Sequence, residues 1–217
     1  MSLGPVIAEP DTVALSGQPL LILDADEVLF MFVDGFMNFL ESRGYYLDLT
    51  SYRLHGNVKT RIDDSVVANP EVTRLLDVFR ADLDSLAAVE DAQDVLDSLS
   101  DQMDIVVLSN VSASQAEPRL RNLAAAGFPY PLIANSGPKG PAVKTLAGRG
   151  GKPAFFVDDI PPHLMSVAEE APDVFRIHFI GDDRLKPLLP SSEQAHLRAD
   201  NWREIEDFVR AKLAEAL

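Results

Sequence analysis

Residues 20–29 read LLILDADEVL, an apolar run that ends in two carboxylates one residue apart. Four consecutive large apolar residues bounded by charge are typical of a strand buried on both faces of a parallel sheet. Asp24 and Asp26 then lie at the carboxyl end of that strand, where open α/β sheets form their ligand crevice. Because side chains alternate along an extended segment, both carboxylates point to the same side. Their repulsion must be offset by a metal ion, a shared proton or hydrogen-bond donors, so the pair predicts a metal site or proton transfer.

The composition is that of an acidic protein able to bury a sizeable core. The chain has 217 residues, no cysteine and a formal net charge of −15. The missing cysteines exclude disulfides and thiolate metal ligands and fit a reducing compartment. A nucleic-acid surface needs clustered Lys and Arg, so the charge argues against one. No apolar run approaches the roughly 18 residues of a spanning helix, and the N-terminus lacks the basic region of a secretory signal. We therefore expect a cytoplasmic protein without a membrane or nucleic-acid partner; its oligomeric state stays open.

Short apolar strands alternate with amphipathic helices from Leu20 onward. This alternation predicts an α/β fold with a doubly wound, Rossmann-like parallel sheet and helices on both faces. The predicted strands are Leu20–Leu23, Ile105–Leu108, Leu132–Ala134, Ala154–Val157 and Val174–Phe179. The predicted helices that follow them are Ser112–Ala126, Gly140–Ala147, His163–Ala171 and Asn201–Leu217. Residues 1–18 carry prolines and glycines with little periodicity, which predicts an irregular N-terminal arm.

The interval between the first two strands, about 80 residues, is far longer than an ordinary crossover. Amphipathic patterns over Asp34–Arg43, Pro70–Leu86 and Asp91–Leu99 predict helices there, and Asn69-Pro70 predicts an N-cap followed by a first-turn proline. The last of these helices can serve as the crossover. Residues 33–89 are therefore predicted to form a small helical cap inserted after the first strand, and residues 1–32 and 90–217 to form the core.

Further polar residues follow the predicted strands. Ser109 follows the second strand, Asp158 and Asp159 follow the fourth, and Lys139 stands in a loop that opens a helix. Because the carboxyl ends of parallel strands meet at one edge of a sheet, these groups are expected to gather beside the first acid pair. The set includes candidates for a nucleophile, a proton shuttle, anion donors and metal ligands. Those are the parts of a metal-assisted phosphoryl-transfer site.

The chain here resembles the haloacid dehalogenase (HAD) superfamily of aspartate-nucleophile phosphatases. The family's motifs are a strand followed by Asp-x-Asp-x-Thr/Val, a strand followed by Ser or Thr, a lysine that begins a helix, and a strand followed by paired acids. They are matched in that order by Leu20–Val28, Val106–Asn110, Lys139–Lys144 and Phe155–Asp159. Each motif alone is a weak signal, and their shared order is a strong one. The resemblance covers roughly residues 19–32 and 90–180.

The resemblance implies the catalytic and metal-binding roles. Asp24 would attack phosphorus, and Asp26 would protonate the leaving oxygen and then take a proton from the hydrolytic water. Mg²⁺ would be held by the Asp24 carboxylate, the backbone carbonyl of Asp26, Asp158 and Asp159. Oxygen ligands of this kind are those that Mg²⁺ favours.

The resemblance also implies the phosphate-binding residues. Ser109 and Asn110 at the end of the second strand and Lys139 at the helix start would bind the phosphoryl group. The spacing from Lys139 to Asp158 is short for the family. Lys144 is therefore kept as an alternative for the lysine role.

The implied activity is that of a Mg²⁺-dependent phosphomonoester hydrolase, which acts on a small soluble metabolite through an aspartyl phosphate. A phosphomutase of the same family and a catalytically inactive HAD-like binding protein are alternatives. The namesake dehalogenases lack an acid at the position of Asp26, so its presence favours phosphate chemistry. Phospho-accepting receivers use similar residues, but their lysine comes last, whereas here the paired acids follow the lysine. The order of residues disfavours a receiver.

A basic cluster lies within the predicted cap and consists of Arg53, His55, Lys59 and Arg61. If it faces the site, it would bind a second anionic group of the substrate. If it pairs with the acids at positions 63 and 64, it forms surface ion pairs instead. The sequence leaves both interpretations open.

Overall fold

Within residues 5–84 and 86–216, which are those that the computed structural model describes, seven strands form one sheet and two form a short hairpin. The strands are β1 (Ile7–Ala8), β2 (Pro19–Leu23), β3 (Tyr45–Leu47), β4 (Val58–Thr60), β5 (Asp104–Asn110), β6 (Leu132–Asn135), β7 (Gly151–Asp158), β8 (Phe175–Phe179) and β9 (Leu197–Ala199). The sheet has the order β1-β6-β5-β2-β7-β8-β9, and all its neighbouring strands are parallel. The predicted doubly wound sheet is confirmed.

β2 lies at the centre of the sheet because its sequence is apolar on both sides. Residues 20–23 are fully buried. Leu23 lies beside Val107 of β5 and Val157 of β7. Side chains alternate between the faces, so Leu23 packs into one hydrophobic core and Ile22 into the other. The residues that follow Leu23 therefore emerge between two neighbouring strand ends.

Helices cover both faces of the sheet, as predicted. They are α1 (Phe32–Glu41), α2 (Asn69–Arg80), α3 (Ala92–Leu99), α4 (Ala113–Ala125), α5 (Gly140–Arg149), α6 (Pro161–Glu170) and α7 (Trp202–Glu215). Leu96 of α3, Leu123 of α4 and Ile205 of α7 belong to one core, whereas Val143 of α5 and Leu164 of α6 belong to the other. Among the described residues, no helix is both long and apolar enough to span a lipid bilayer.

The segment between β2 and β5 is less purely helical than predicted. It contains the antiparallel hairpin β3–β4, in which Leu47 pairs with Val58. Gly44, with φ +77°, turns the chain out of α1 into this hairpin. Strands of three residues are too short to show a clear period-2 pattern, so the sequence did not reveal them.

The predicted bounds of α2 are also wrong. The helix begins at Asn69, with Ala68 rather than Asn69 at the N-cap position, and it ends at Arg80 instead of residue 86. Leu83 and Leu86 continue the apolar pattern and are buried, but they lie in the following loop. Because Leu83 and Leu86 are apolar and continue the helical spacing, the sequence predicted a longer helix than the one that forms.

The N-terminal arm is not wholly irregular, because Ile7 and Ala8 pair with Leu132 and Ile133 and extend the sheet. β9 was likewise not predicted, since it too has only three residues. Residues 1–4 of the predicted arm, Ser85 within the predicted helix 70–86, and Leu217 at the end of the last predicted helix lie outside the described residues.

Candidate active site

The carboxyl ends of β2 and β7 bring Asp24 and Asp158 together. The backbone N–H of Asp24 donates to the carbonyl of Val157 over 2.9 Å, which holds the two strand ends level. Lys139 Nζ lies 2.6 Å from Asp24 Oδ1 and 2.7 Å from Asp158 Oδ2. All three side chains are buried. The carboxylates of Asp24 and Asp158, which are far apart in the sequence, therefore both pair with the ammonium group of Lys139.

Close packing of two helices places Lys139 in this position. Gly140 opens α5 against α6, and a Cβ atom on Gly140 would lie 2.3 Å from the backbone oxygen of Ser166. Only glycine permits that approach without a shift of backbone. Lys144, one helical turn further on, is exposed and pairs with Glu170 at 3.0 Å. The structure thus places Lys139 among the carboxylates and Lys144 outside them.

Asp159 adds a third buried carboxylate. The hydroxyl of Tyr52, from the loop between β3 and β4, donates to Asp159 Oδ2. Asp159 Oδ1 is buried and has no hydrogen-bond partner among the described residues. Single oxygens of Asp24, Asp158 and Asp159 lie within 4.8 Å of one another. An excess of buried carboxylate oxygens, one of them unpartnered, fits a hard divalent cation such as Mg²⁺.

The pKa values of these groups reflect crowded negative charge. Burial raises the pKa of Asp24 to about 6, with the charge of Lys139 opposing the rise and that of Asp158 adding to it. Burial also raises the pKa of Asp158. Burial and the neighbouring carboxylates raise the pKa of Asp159 well above its ordinary range. Burial lowers the pKa of Lys139, but Asp158 and Asp24 outweigh it, so the net shift is upward. A bound divalent cation would relieve the repulsion among the carboxylates.

Asp26 has a partner that the sequence analysis missed. Arg119 of α4 is fully buried, and its Nη2 pairs with Asp26 Oδ1 while its Nη1 donates to Asn122 Oδ1 over 2.9 Å. The Asp26 side chain remains about one quarter exposed. A signal for Arg119 was present, because it shares an apolar helix face with Ala116 and Leu123. A basic residue on such a face requires a buried acceptor.

Ser109 and Asn110 occupy the end of β5, the neighbour of β2. Ser109 is buried and Asn110 is exposed. The Asn110 amide donates to the Gly137 carbonyl over 3.0 Å and accepts from Asn135 Nδ2 over 2.7 Å. Asn110 therefore ties the end of β5 to the loop that carries Lys139.

The basic cluster of the sequence does not act as a unit. Lys59 pairs with Asp48 at 2.6 Å, and Arg61 pairs with Glu41 at 2.5 Å. His55 bonds the hydroxyl of Thr73 over 2.9 Å. These partners differ from the acids at 63 and 64 that the sequence suggested. Of the four basic residues, Arg53 alone lines a cavity near Asp26 and Asp159.

A cavity of about 280 Å³ opens beside the acids. It lies between the strand ends and the segment that links β2 to β5. The polar residues that line it include Asp26, Glu27 and Asp159. The apolar residues that line it include Phe32, Val33 and Leu54. A volume near 300 Å³ is at the lower end for ligand pockets, so it suits a small molecule.

Glu27 is a buried carboxyl on the cavity wall. Its backbone has φ 59°, a left-handed conformation that turns the chain directly after the strand. Glu27 Oε1 accepts from the backbone N–H of Val33 over 2.6 Å at the start of α1. Burial raises the pKa of Glu27 from its ordinary 4.5 to about 8. Burial therefore favours the protonated form of this side chain in the folded protein.

Replacing Glu27 by Gln is expected to flatten the pH dependence of stability. Since the folded pKa of Glu27 is raised, its contribution to stability is full below about pH 4.5 and is lost as the pH rises towards about 8. The loss is about 1.4 kcal/mol per pH unit in that window. Urea unfolding of metal-free protein at pH values across this window measures the slope. Glu90→Gln, at an exposed site, is the control and should keep the wild-type slope. An equal slope in Glu27→Gln and wild type would contradict the expectation.

No protein-family model matches the chain, and no curated protein matches it. Many solved structures do. A predicted phosphoglycolate phosphatase from Haemophilus somnus has a TM-score of 0.61 at 10% identity, with 90% of this chain and 100% of its own covered. A HAD hydrolase from Bacillus subtilis bound to magnesium has a TM-score of 0.59 at 12% identity, with 88% and 98% covered.

A third similar structure is a defluorinating L-2-haloacid dehalogenase, with a TM-score of 0.58 at 14% identity and 95% of this chain and 99% of its own covered. These names describe different activities on one fold, and a shared fold does not fix the chemistry. The matches therefore bear on architecture, and they confirm the fold that the resemblance implied. The chain has the fold of the haloacid dehalogenase-like hydrolases.

Proposed function

We propose that the protein is a Mg²⁺-dependent phosphomonoester hydrolase that acts on a small soluble metabolite of the cytoplasm through an aspartyl phosphate. The observation that carries the proposal is the convergence of Asp24 and Asp158 on Lys139, with Asp159 beside them. The similar structures support it, since one is described as a phosphatase and one as magnesium-bound. One is described as a dehalogenase, but Asp26 supplies the acid that phosphate-ester cleavage needs.

In the first step, Asp24 is the nucleophile. One of its carboxylate oxygens forms a bond to phosphorus as the bond from phosphorus to the ester oxygen breaks. The leaving oxygen keeps that electron pair and takes a proton from Asp26. Arg119 engages Asp26 Oδ1, which leaves Oδ2 to carry the proton. Lys139 and Ser109 stabilise the phosphoryl oxygens by charge and hydrogen bonding.

In the second step, water hydrolyses the aspartyl phosphate. Asp26, now a carboxylate, takes a proton from the water as the water oxygen attacks phosphorus. The bond from phosphorus to Asp24 breaks, and inorganic phosphate and the Asp24 carboxylate are released. Mg²⁺ held by the carboxylates of Asp24, Asp158 and Asp159 and the Asp26 carbonyl would supply positive charge for the phosphoryl oxygens.

Residues 33–89 are proposed to act as a cap over this site, with residues 1–32 and 90–217 as the core. Tyr52 of this segment donates to Asp159 of the core. Val33, at the start of the segment, and Phe32 just before it line the cavity. A segment in this position excludes bulk water from the aspartyl phosphate, which limits side reactions.

The test is hydrolysis of an aryl phosphate by purified protein with and without Mg²⁺. We expect turnover with Mg²⁺ and a fall of at least about 10²-fold after EDTA treatment, since the metal supplies several kcal/mol of charge stabilisation. Restoring Mg²⁺ should restore the rate. Absence of hydrolysis across a panel of sugar phosphates, nucleotides and phosphorylated organic acids would contradict the proposal. Transfer of the phosphoryl group back to substrate, without release of phosphate, would identify a phosphomutase instead.

A further inference from the structure

Arg53 and Arg80 differ from the other arginines of the chain. Among the described residues, their guanidinium groups have neither a carboxylate nor a hydrogen-bond partner. Every other arginine either pairs with an acid or donates to a backbone carbonyl. In a chain with 34 acidic and 19 basic residues, acidic partners are plentiful. Two arginines with neither an acidic partner nor a carbonyl partner among the described residues are therefore a distinctive feature.

Both arginines line the cavity that Asp26 and Asp159 also line. Arg53 lies in the loop between β3 and β4, next to Tyr52, and Arg80 ends α2. The Arg80 guanidinium carbon lies 5.4 Å from the centre of the Phe32 ring, and Phe32 also lines the cavity. Arg53 is exposed and Arg80 is half-buried. The cavity is thus lined by acids from the core and by two arginines from the segment between β2 and β5. Neither arginine has an acidic partner among the described residues.

A planar guanidinium binds carboxylate and phosphate oxygens through paired hydrogen bonds. The proposed function assigns Lys139 and the metal site to the phosphoryl group that reacts, and Lys139 lies between the carboxylates that follow β2 and end β7. Cations from the β2–β5 segment would face the rest of the substrate. A substrate whose remaining part is neutral would form no ion pair with either guanidinium group.

We propose that Arg53 and Arg80 bind a second anionic group of the substrate. The substrate class is then a small phosphomonoester that carries a carboxylate or a second phosphate, within a cavity of about 280 Å³. This inference rests on the proposed function and narrows it. It makes the arginines specificity determinants rather than parts of the reacting centre.

The experiment compares matched substrates. Carboxymethyl phosphate is paired with ethyl phosphate, and propane-1,3-diyl bisphosphate is paired with propyl phosphate. In the wild type, kcat/KM should be higher for the member of each pair with the second anion. In Arg53→Met and Arg80→Met, this preference should fall by about 10- to 100-fold, the range for hydrogen bonds to charged groups. The pair with the larger preference identifies the anion as carboxylate or phosphate.

Arg74→Met is the matched control, because Arg74 lies on the same helix as Arg80, is exposed and pairs with Glu71. It should retain the wild-type preference. A second readout needs no turnover: calorimetric binding of phosphonoacetate and propane-1,3-diyl bisphosphonate, compared with ethylphosphonate, should show the same loss. Circular dichroism and thermal unfolding establish that each variant is folded.

The outcomes separate the two proposals. A wild type that hydrolyses both members of each substrate pair equally well, with no change in the arginine variants, overturns this inference and leaves the phosphatase proposal standing. A wild type that hydrolyses no phosphomonoester overturns the proposed function. In that case, equal binding of ethylphosphonate and of the two phosphonates that carry a second anionic group would also overturn the role of the arginines.

Discussion

Asp24→Asn is expected to lower phosphomonoester turnover by at least about 10⁴-fold, the scale of loss when a covalent nucleophile is removed. The amide has no anionic oxygen to attack phosphorus, so the aspartyl phosphate cannot form. The carbonyl oxygen of the amide can still accept from Lys139, whose Nζ lies 2.6 Å from Asp24 Oδ1 in the wild type. The fold should therefore persist. Phosphate release from an aryl phosphate measures the rate, and mass spectrometry of acid-quenched protein detects the phosphorylated aspartate.

Asp104→Asn provides the control for this substitution. Asp104 begins β5 at the opposite edge of the sheet, where it accepts from the backbone of Ser16 and Gly17. Its loss removes a carboxylate from the same sheet but not from the site, so turnover should stay near that of the wild type. If Asp24→Asn retained more than a tenth of the activity, or if the phosphoryl group were found on another residue, Asp24 would not be the nucleophile.

The sheet and the positions of the acids were predictable because both depend on local pattern and on one topological rule. An apolar run such as residues 20–23 specifies a buried strand. Parallel strands then place the following residues at a common edge, which brought Asp24 and Asp158 together without any knowledge of their contacts. The strands β1, β3, β4 and β9 escaped prediction because two or three residues carry almost no periodic signal.

The individual side-chain partners that depend on how helices and loops pack against the sheet were not predictable. Arg119 was visible as a charge on an apolar helix face, but its partner Asp26 depends on how α4 packs against the end of β2. Tyr52 reaches Asp159 only because the β3–β4 hairpin turns its loop towards the core. Arg53 of this loop lines the cavity, whereas Lys59 and Arg61 pair with acids outside it. Sequence proximity made those residues look like one cluster, and the fold divided them.

Lys139→Met is expected to lower both the stability of the metal-free protein and the catalytic rate. Its ammonium group lies between two buried carboxylates, and removing one partner of a buried ion pair costs about 3–5 kcal/mol. Loss of a charged donor to the phosphoryl group lowers the rate by about 10²–10³-fold. The stability loss should shrink as the pH falls, because protonation of Asp24 and Asp158 removes their unpaired charge. Urea unfolding in EDTA at several pH values measures it.

Lys144→Met tests the alternative lysine under the same conditions. Lys144 is exposed, and a surface pair such as Lys144 with Glu170 contributes only about 0–1 kcal/mol. Its loss should change neither rate nor stability appreciably. Added Mg²⁺ should restore part of the stability of Lys139→Met, because a cation that binds the folded state between the freed carboxylates stabilises it. If Lys144→Met lost activity while Lys139→Met kept it, the lysine roles would be reversed. If Mg²⁺ stabilised neither the wild type nor Lys139→Met, these carboxylates would not form the metal site.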